Sequence, residues 1–360
     1  MPRSSENRLP GPSGIARGPL RRGIFRFSAG RAAGQALFAG WVLPLIPFLS
    51  AAAAESRPLA AGENLFWREG NHAIVCSPRL AESLRILVVA DLHLGILDER
   101  DEENRPNAQR MANPSLKPAE TLSAALAKVA PDEFDFVALV GDILNFPSLA
   151  GVDEVRRRMA DCAVPWRYVA GNHDWHFEGK PGSAEALRGA WIEKRLRPLY
   201  PADADPLMFS VKVKGVNLVF IDNSTYEILP KQLEFFRNEV LKNEPMALFV
   251  HIPLHSPGSP LPWDFECGHP DWGAAVDPYW EIERRERWPE AGCSETTMAF
   301  VREAFDAPNL LAVTAGHLHE SRAYYGRDKA QWVAPATRSA ENVFHLTLRP
   351  MPPRAQDPVK

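Results

Sequence analysis

Five apolar runs in this chain stop at residues able to hold a cation or move a proton. The run "RILVVA" ends at Asp91 and His93, "FVALVG" at Asp142, and "WRYVAG" at Asn172, His173 and Asp174. "MALFV" delivers His251 and His255, and "NLLAVTAG" delivers His317 and His319. Carboxylate, imidazole and carboxamide without thiolate make a mixed oxygen and nitrogen donor set, which suits manganese, iron or zinc. Residues i and i+2 of an extended segment face the same way. Asp91 with His93, and His317 with His319, can therefore each enter one cavity, and a carboxylate lying between two sites can bridge two ions. One strand end of this kind means little; five in succession argue for one shared site.

The sequence between these ends supplies the elements that must position them. Buried strands are expected over 85–91, 136–142, 166–174, 245–253 and 309–317, with a hairpin over 208–223 turning at Lys214 and Gly215. "QWVAPA" and "NVFHLTL" read as closing antiparallel strands. Helical patterns occupy 115–130, 152–162, 184–196, 230–243 and 296–305. Short apolar runs alternating with amphipathic segments indicate an α/β fold with buried sheets, and the carboxyl ends of such strands are where ligands bind in open α/β sheets. Two stretches break the rhythm: the polar segment 96–114 and the long insertion 254–293. Loops of that length are usually functional or disordered.

Composition narrows the classes. Apolar content of 45% and charged content of 24% provide for a full-sized core. Residues 1–54 carry seven arginines and one glutamate, so the rest of the chain is acidic, with 34 Lys and Arg against 44 Asp and Glu. That balance gives no strong signal for nucleic acid as a partner. Residues 32–54 are uncharged and follow the basic start, the layout of a secretory signal cleaved after Ala54. The same stretch is long enough to be an uncleaved membrane tether, and Arg21 and Arg22 hint at twin-arginine export. Either way the remainder is expected to be exported, periplasmic or extracellular. The four cysteines show no zinc-like spacing. Cys267 and Cys293 bracket much of the insertion and either close it as a loop or stay as buried thiols.

The ordered set DxH, GD, GNHD, a lone histidine and GHxH resembles the calcineurin-like metallophosphoesterases over residues 85–348. The resemblance implies a four-layer α/β/β/α sandwich of two mixed sheets flanked by helices, with a binuclear metal site at strand carboxyl ends. It implies that Asp91, His93 and His319 hold one divalent or trivalent ion. Asn172, His251 and His317 would hold the other, with Asp142 bridging. It further implies attack on phosphorus by a metal-bridging hydroxide, with His173 as proton donor to the leaving oxygen. In many members a second aspartate of the GD motif orients that histidine; here the position holds Asn145. The expected consequence is a weaker acid–base group, helped by a good leaving group or by Asp174. Purple acid phosphatases carry an iron-binding tyrosine at this position, so Asn145 also predicts a colourless protein.

The domain organisation then reads as a signal peptide or anchor (1–54), an N-terminal extension (55–84), the catalytic domain (85–348) and a C-terminal tail (349–360). Within the domain, 254–293 reads as a lid carrying four of the ten tryptophans. Its aromatic rings, Trp263 and Trp272 among them, either stack on substrate or form the lid's own core. Asn145 and His255 join them as candidate substrate contacts. The expected substrate is a small phosphate ester, with diesters slightly preferred over monoesters. The rival from another class is a metal-containing binding protein without turnover.

Overall fold

The structure of the protein, a computed structural model, describes residues 59–61, 64–111, 117–256, 266–270, 293–326 and 329–352. The expected signal segment 1–54 lies outside these residues, as does most of the insertion. Among the described residues no helix is long and apolar enough to cross a membrane.

Strands β1 (Leu59–Ala61), β2 (Asn64–Glu69), β3 (His72–Ser77), β4 (Leu84–Val89), β5 (Phe136–Val140) and β6 (Trp166–Val169) come first in the chain. They are followed by β7 (Met208–Val213), β8 (Val216–Ile221), β9 (Met246–Phe249), β10 (Leu310–Ala315), β11 (Arg322–Gly326), β12 (Lys329–Val333) and β13 (Phe344–Pro350). One sheet has the order β1-β2-β3-β13-β4-β5-β6 and the other β11-β12-β10-β9-β8-β7. Both are mixed. β4, β5 and β6 run parallel while β13 is antiparallel to β4; β8, β9, β10 and β12 run parallel while β7 and β11 are antiparallel edges. Every residue of β5, β8, β9 and β10 is buried, as expected of strands covered on both faces. Phe136 of β5 and Phe220 of β8 bring the sheets together, with ring centroids 6.3 Å apart. Flanking helices complete the four-layer sandwich.

Residues 55–84, set apart in sequence as an extension, contribute three strands to the first sheet, and β3 pairs in parallel with β13. The helices are α1 (Arg105–Met111), α2 (Pro118–Leu126), α3 (Leu149–Ala160), α4 (Ala184–Trp191), α5 (Pro230–Leu241) and α6 (Glu295–Asp306). α3 shows the local logic. The Ser148 side chain caps it by accepting from the Gly151 N–H, and Val152, Val155 and Met159 recur at helical spacing on its buried face. The polar segment 96–114, expected as a loop, instead contains a 3-10 turn, Glu99–Asn104, running into α1. Two of its acids are engaged: Asp98 caps the turn, and buried Asp101 reaches across the fold to accept from the Leu149 N–H at 2.8 Å and pair with Arg195 at 3.2 Å.

Candidate metal centre

Each metal-type residue follows a strand by one or a few positions, and the backbone at that point leaves extended geometry. Asp91, His93, Asp142, His317 and His319 have φ between 50° and 72°, in the left-handed region that Asp and His enter more readily than most residues. The Asp91 N–H donates to the Gly141 carbonyl at 3.1 Å and the His93 N–H to the Asp142 carbonyl at 2.8 Å, so the loops after β4 and β5 run side by side. Both Asp91 carboxylate oxygens accept from the His317 N–H (3.0 and 2.9 Å), and Asp142 Oδ1 accepts from the His173 N–H (2.8 Å). The Asp91–His317 bonds tie the two sheets together at their strand ends, and the Asp142–His173 bond ties the end of β5 to that of β6. Glycine makes the close approach feasible. A Cβ on Gly171 would lie 2.2 Å from Asp142 Oδ1, and one on Gly141 would lie 2.2 Å from His251 Nδ1.

Donor atoms of Asp91, His93, Asp142 and His319 all fall within 4.8 Å of one another, and those of Asp142, His251 and His317 form a second such group. Asp142 belongs to both. Its Oδ2 is 3.3 Å from His251 Nε2 and 3.9 Å from His93 Nε2. Asn172 Oδ1 lies 3.2 Å from His251 Nε2, which adds the carboxamide to the second group. In the first, His93 Nε2 and His319 Nε2 approach to 2.9 Å, with His319 Nε2 3.5 Å from Asp91 Oδ1.

Residues 84–321 match the calcineurin-like phosphoesterase family. The chain belongs to that family. A search of curated proteins finds no match in sequence. Similar solved structures include a dimetal phosphatase from Danio rerio, at 13% identity, covering 71% of this chain and 88% of that one with a TM-score of 0.45. A purple acid phosphatase from yellow lupin (Lupinus luteus) seeds has 11% identity, 82% and 62% coverage and a TM-score of 0.46. Phosphopantetheinyl hydrolase from Mycobacterium tuberculosis has 13% identity, 78% and 100% coverage and a TM-score of 0.38.

The donor chemistry of this calcineurin-like phosphoesterase fits two cations. Burial, helped by nearby His173, pushes His93 down to about 3, so its imidazole is neutral. With Nδ1–H given to Asn145 Oδ1 (3.2 Å), Nε2 turns a lone pair toward His319. Such an outer hydrogen bond is what fixes a metal-binding histidine's tautomer. Burial favours the neutral form of Asp142, but His251 and His173 outweigh it and hold the carboxyl well below its ordinary range. Burial likewise lowers His251, and Asp142 overrides it, raising the imidazole to about 10. For Asp91, burial dominates and raises the carboxyl. A proton on His251 thus balances Asp142 where a cation would otherwise do so.

Several expected contacts fall elsewhere. Asn145, expected as a substrate contact, is buried. Its Oδ1 accepts from His93 and its Nδ2 donates to the Met111 carbonyl at 2.6 Å. It serves a metal ligand, not His173. The His173 ring packs edge-on to His93 at 4.6 Å, and among the described residues its Nδ1 has no hydrogen-bond partner. Asp174, expected as a helper, is fully buried, and its two oxygens accept from the Leu144 and Gly171 N–H groups at 2.6 and 2.7 Å. Burial, reinforced by Asp142, takes it to about 7. His255 holds buried Glu266 through Nδ1 at 2.6 Å and packs on His269. Trp263 and Trp272 lie outside the described residues.

Four supporting residues were missed in the sequence. Asn223, just past β8, accepts at Oδ1 from the His251 and Ile252 N–H groups (3.1 and 3.0 Å) and donates to the Ile252 carbonyl (2.7 Å). Buried Tyr226, at φ 61°, hydrogen-bonds through its hydroxyl to His317 Nε2 at 2.7 Å. The His176 Nδ1–H donates to the Asn172 carbonyl at 2.6 Å. Exposed Arg338 sets its guanidinium 3.4 Å from His319 Nδ1, a fixed positive charge at the rim. The run "VNLVFIDN" ends in polar residues as β4 and β5 do, so the same strand-end pattern, applied to β8, points to Asn223.

Proposed function

We propose that this metal-dependent phosphoester hydrolase is an exported enzyme acting on small phosphodiesters in preference to monoesters, through two cations sharing Asp142. The observation that carries the binuclear reading is the membership of Asp142 in both donor groups. Asp91, His93 and His319 would hold one ion and Asn172, His251 and His317 the other. When bound, such a pair lowers the pKa of a shared water, orients the phosphate and stabilises an in-line displacement. The chain's own residues do the rest. Asp142 fixes the spacing of the two groups and, through the His173 N–H, holds His173 beside them. His173 gives a proton to the leaving oxygen. Arg338 adds a cationic contact for a non-bridging phosphate oxygen, which supports a phosphate ester as substrate. The ions are manganese, iron or zinc. With Asn145 in place of a tyrosine, and the Tyr226 hydroxyl on an imidazole nitrogen, an iron-loaded sample is expected to lack a tyrosinate-to-iron absorption band. Export rests on the basic and then apolar start of the sequence.

The test is metal-dependent turnover of an aryl phosphodiester against the matching monoester, with Asp142→Asn as control. Faster diester turnover that disappears in the variant supports the proposal. Faster monoester turnover assigns a phosphomonoesterase. A folded, two-metal protein without turnover on either would leave a metal-containing binding protein.

A further inference from the structure

Two of the four cysteines meet at one atom. Cys267 Sγ lies 3.4 Å and Cys293 Sγ 3.9 Å from the carbonyl oxygen of Tyr226. The two sulfurs can therefore be no farther apart than the sum of those distances.

Both cysteines sit on anchored backbone. The Cys267 N–H donates to the Pro253 carbonyl and its carbonyl accepts from the His255 N–H, each at 2.8 Å. Cys293 precedes Ser294, whose N–H and hydroxyl both bond to the Glu227 carboxylate (3.0 and 2.6 Å) at the start of α6. Glu227 follows Tyr226, so one short segment after β8 fixes both. The other thiols have different surroundings. Cys76 Sγ accepts from Arg349 Nε at 3.2 Å, and Cys162 stands half-buried just past α3.

We propose that Cys267 and Cys293 are a disulfide-forming pair, a redox site that ties the two ends of residues 268–292 together beside Tyr226. The inference does not depend on the phosphoesterase chemistry. The oxidant is a small-molecule disulfide of the glutathione class. The thiolate of one cysteine attacks that disulfide, forming a mixed disulfide and releasing one small thiol. The second cysteine's thiolate attacks the protein sulfur, closing the protein disulfide and releasing the second small thiol. Two electrons pass to the reagent, and the two protons lost from the cysteines end on its two thiols. Burial raises Cys267 well above the ordinary thiol range and, with Glu227 adding, takes Cys293 to about 12. Exchange in the folded state is correspondingly slow near neutrality.

The test uses the full chain equilibrated in glutathione buffers from reducing to oxidising. A disulfide oxidoreductase is present so that slow exchange at buried sulfurs does not decide the result. Samples are acid-quenched, alkylated under denaturing conditions and peptide-mapped. The expected result is a Cys267–Cys293 linked peptide in oxidising buffer, with Cys76 and Cys162 alkylated. The thermal midpoint should also rise by about 5–10 °C relative to the reduced protein, and that rise should be absent in Cys293→Ser. Alkylation of both Cys267 and Cys293 at the oxidising plateau, glutathione on either, or any other pairing overturns the proposal. The map of the unaltered chain is decisive even if the variant does not fold.

Discussion

Tyr226 and Asn223 carry the second donor group without ligating anything. Asn223 fixes the backbone of His251, and the Tyr226 hydroxyl occupies Nε2 of His317, which leaves Nδ1 as that ring's donor for a cation. Outer partners of this kind typically contribute a factor of about 10–100 in metal affinity. Tyr226→Phe should therefore weaken the second cation's binding by about that factor and leave the first unchanged, read by competition with a chromogenic chelator. Unchanged affinity for the second cation in the variant would remove Tyr226 from the site. A second residue-level consequence concerns protons. His251, raised to about 10 by Asp142 against the effect of burial, is protonated through the neutral range when no cation is present. A cation taking Nε2 must expel that proton, so raising the pH lowers the cost of binding. Apparent affinity at this group should climb about tenfold per pH unit until about pH 10. Calorimetry in buffers of differing ionisation enthalpy should find roughly one proton released; no release would mean His251 is already neutral.

At the scale of elements, the site is a seam between two sheets. β4, β5 and β6 bring Asp91, Asp142 and Asn172 from one sheet, while β9 and β10 bring His251 and His317 from the other. The motif glycines let the two sets touch. In Gly171→Ala the new methyl would overlap Asp142 Oδ1, and the carboxylate shared by both groups would have to move. The variant should keep its circular-dichroism spectrum and lose stoichiometric metal, measured by elemental analysis of the purified protein. Two ions retained per chain would show that the strand end can yield. β8 contributes differently: its exit turn braces the ligands. Buried Asp222 there is held by buried Arg188 of α4 at 3.3 Å.

For the whole molecule, the left-handed backbone at five of the seven candidate ligand positions stores strain of order 1–3 kcal/mol each. It persists because both sheets over-determine the seam, and cations that bind only the folded chain add to its stability by mass action. At a free metal concentration about 100 times Kd, one site contributes about 2.7 kcal/mol. Chelation should accordingly lower the thermal midpoint by at least about 5 °C, followed by calorimetry with and without chelator. An unchanged midpoint would indicate that the folded chain takes up no cation.

The sequence by itself determined the class of fold and nearly all of the donor set. A buried strand is a continuous apolar run, and a polar residue able to bind a metal stands out sharply where that run stops. Asp91, His93, Asp142, His251, His317 and His319 were legible for that reason, and Asn172 by its place in the GNHD motif. Local sequence does not encode which distant groups a side chain will meet, so the rest waited for tertiary structure. The pattern at 96–114 suggested a loop because it is a long polar stretch outside the strand–helix rhythm, whereas Asp101 turned inward to Leu149 and Arg195. Asn145 and Asp174 sat in motif positions that suggested chemistry, and folding committed Asn145 to His93 and Asp174 to two backbone N–H groups. Tyr226 gave no signal, because its partners His317, Cys267 and Cys293 are brought to it only when β8, β10 and the start of α6 pack together.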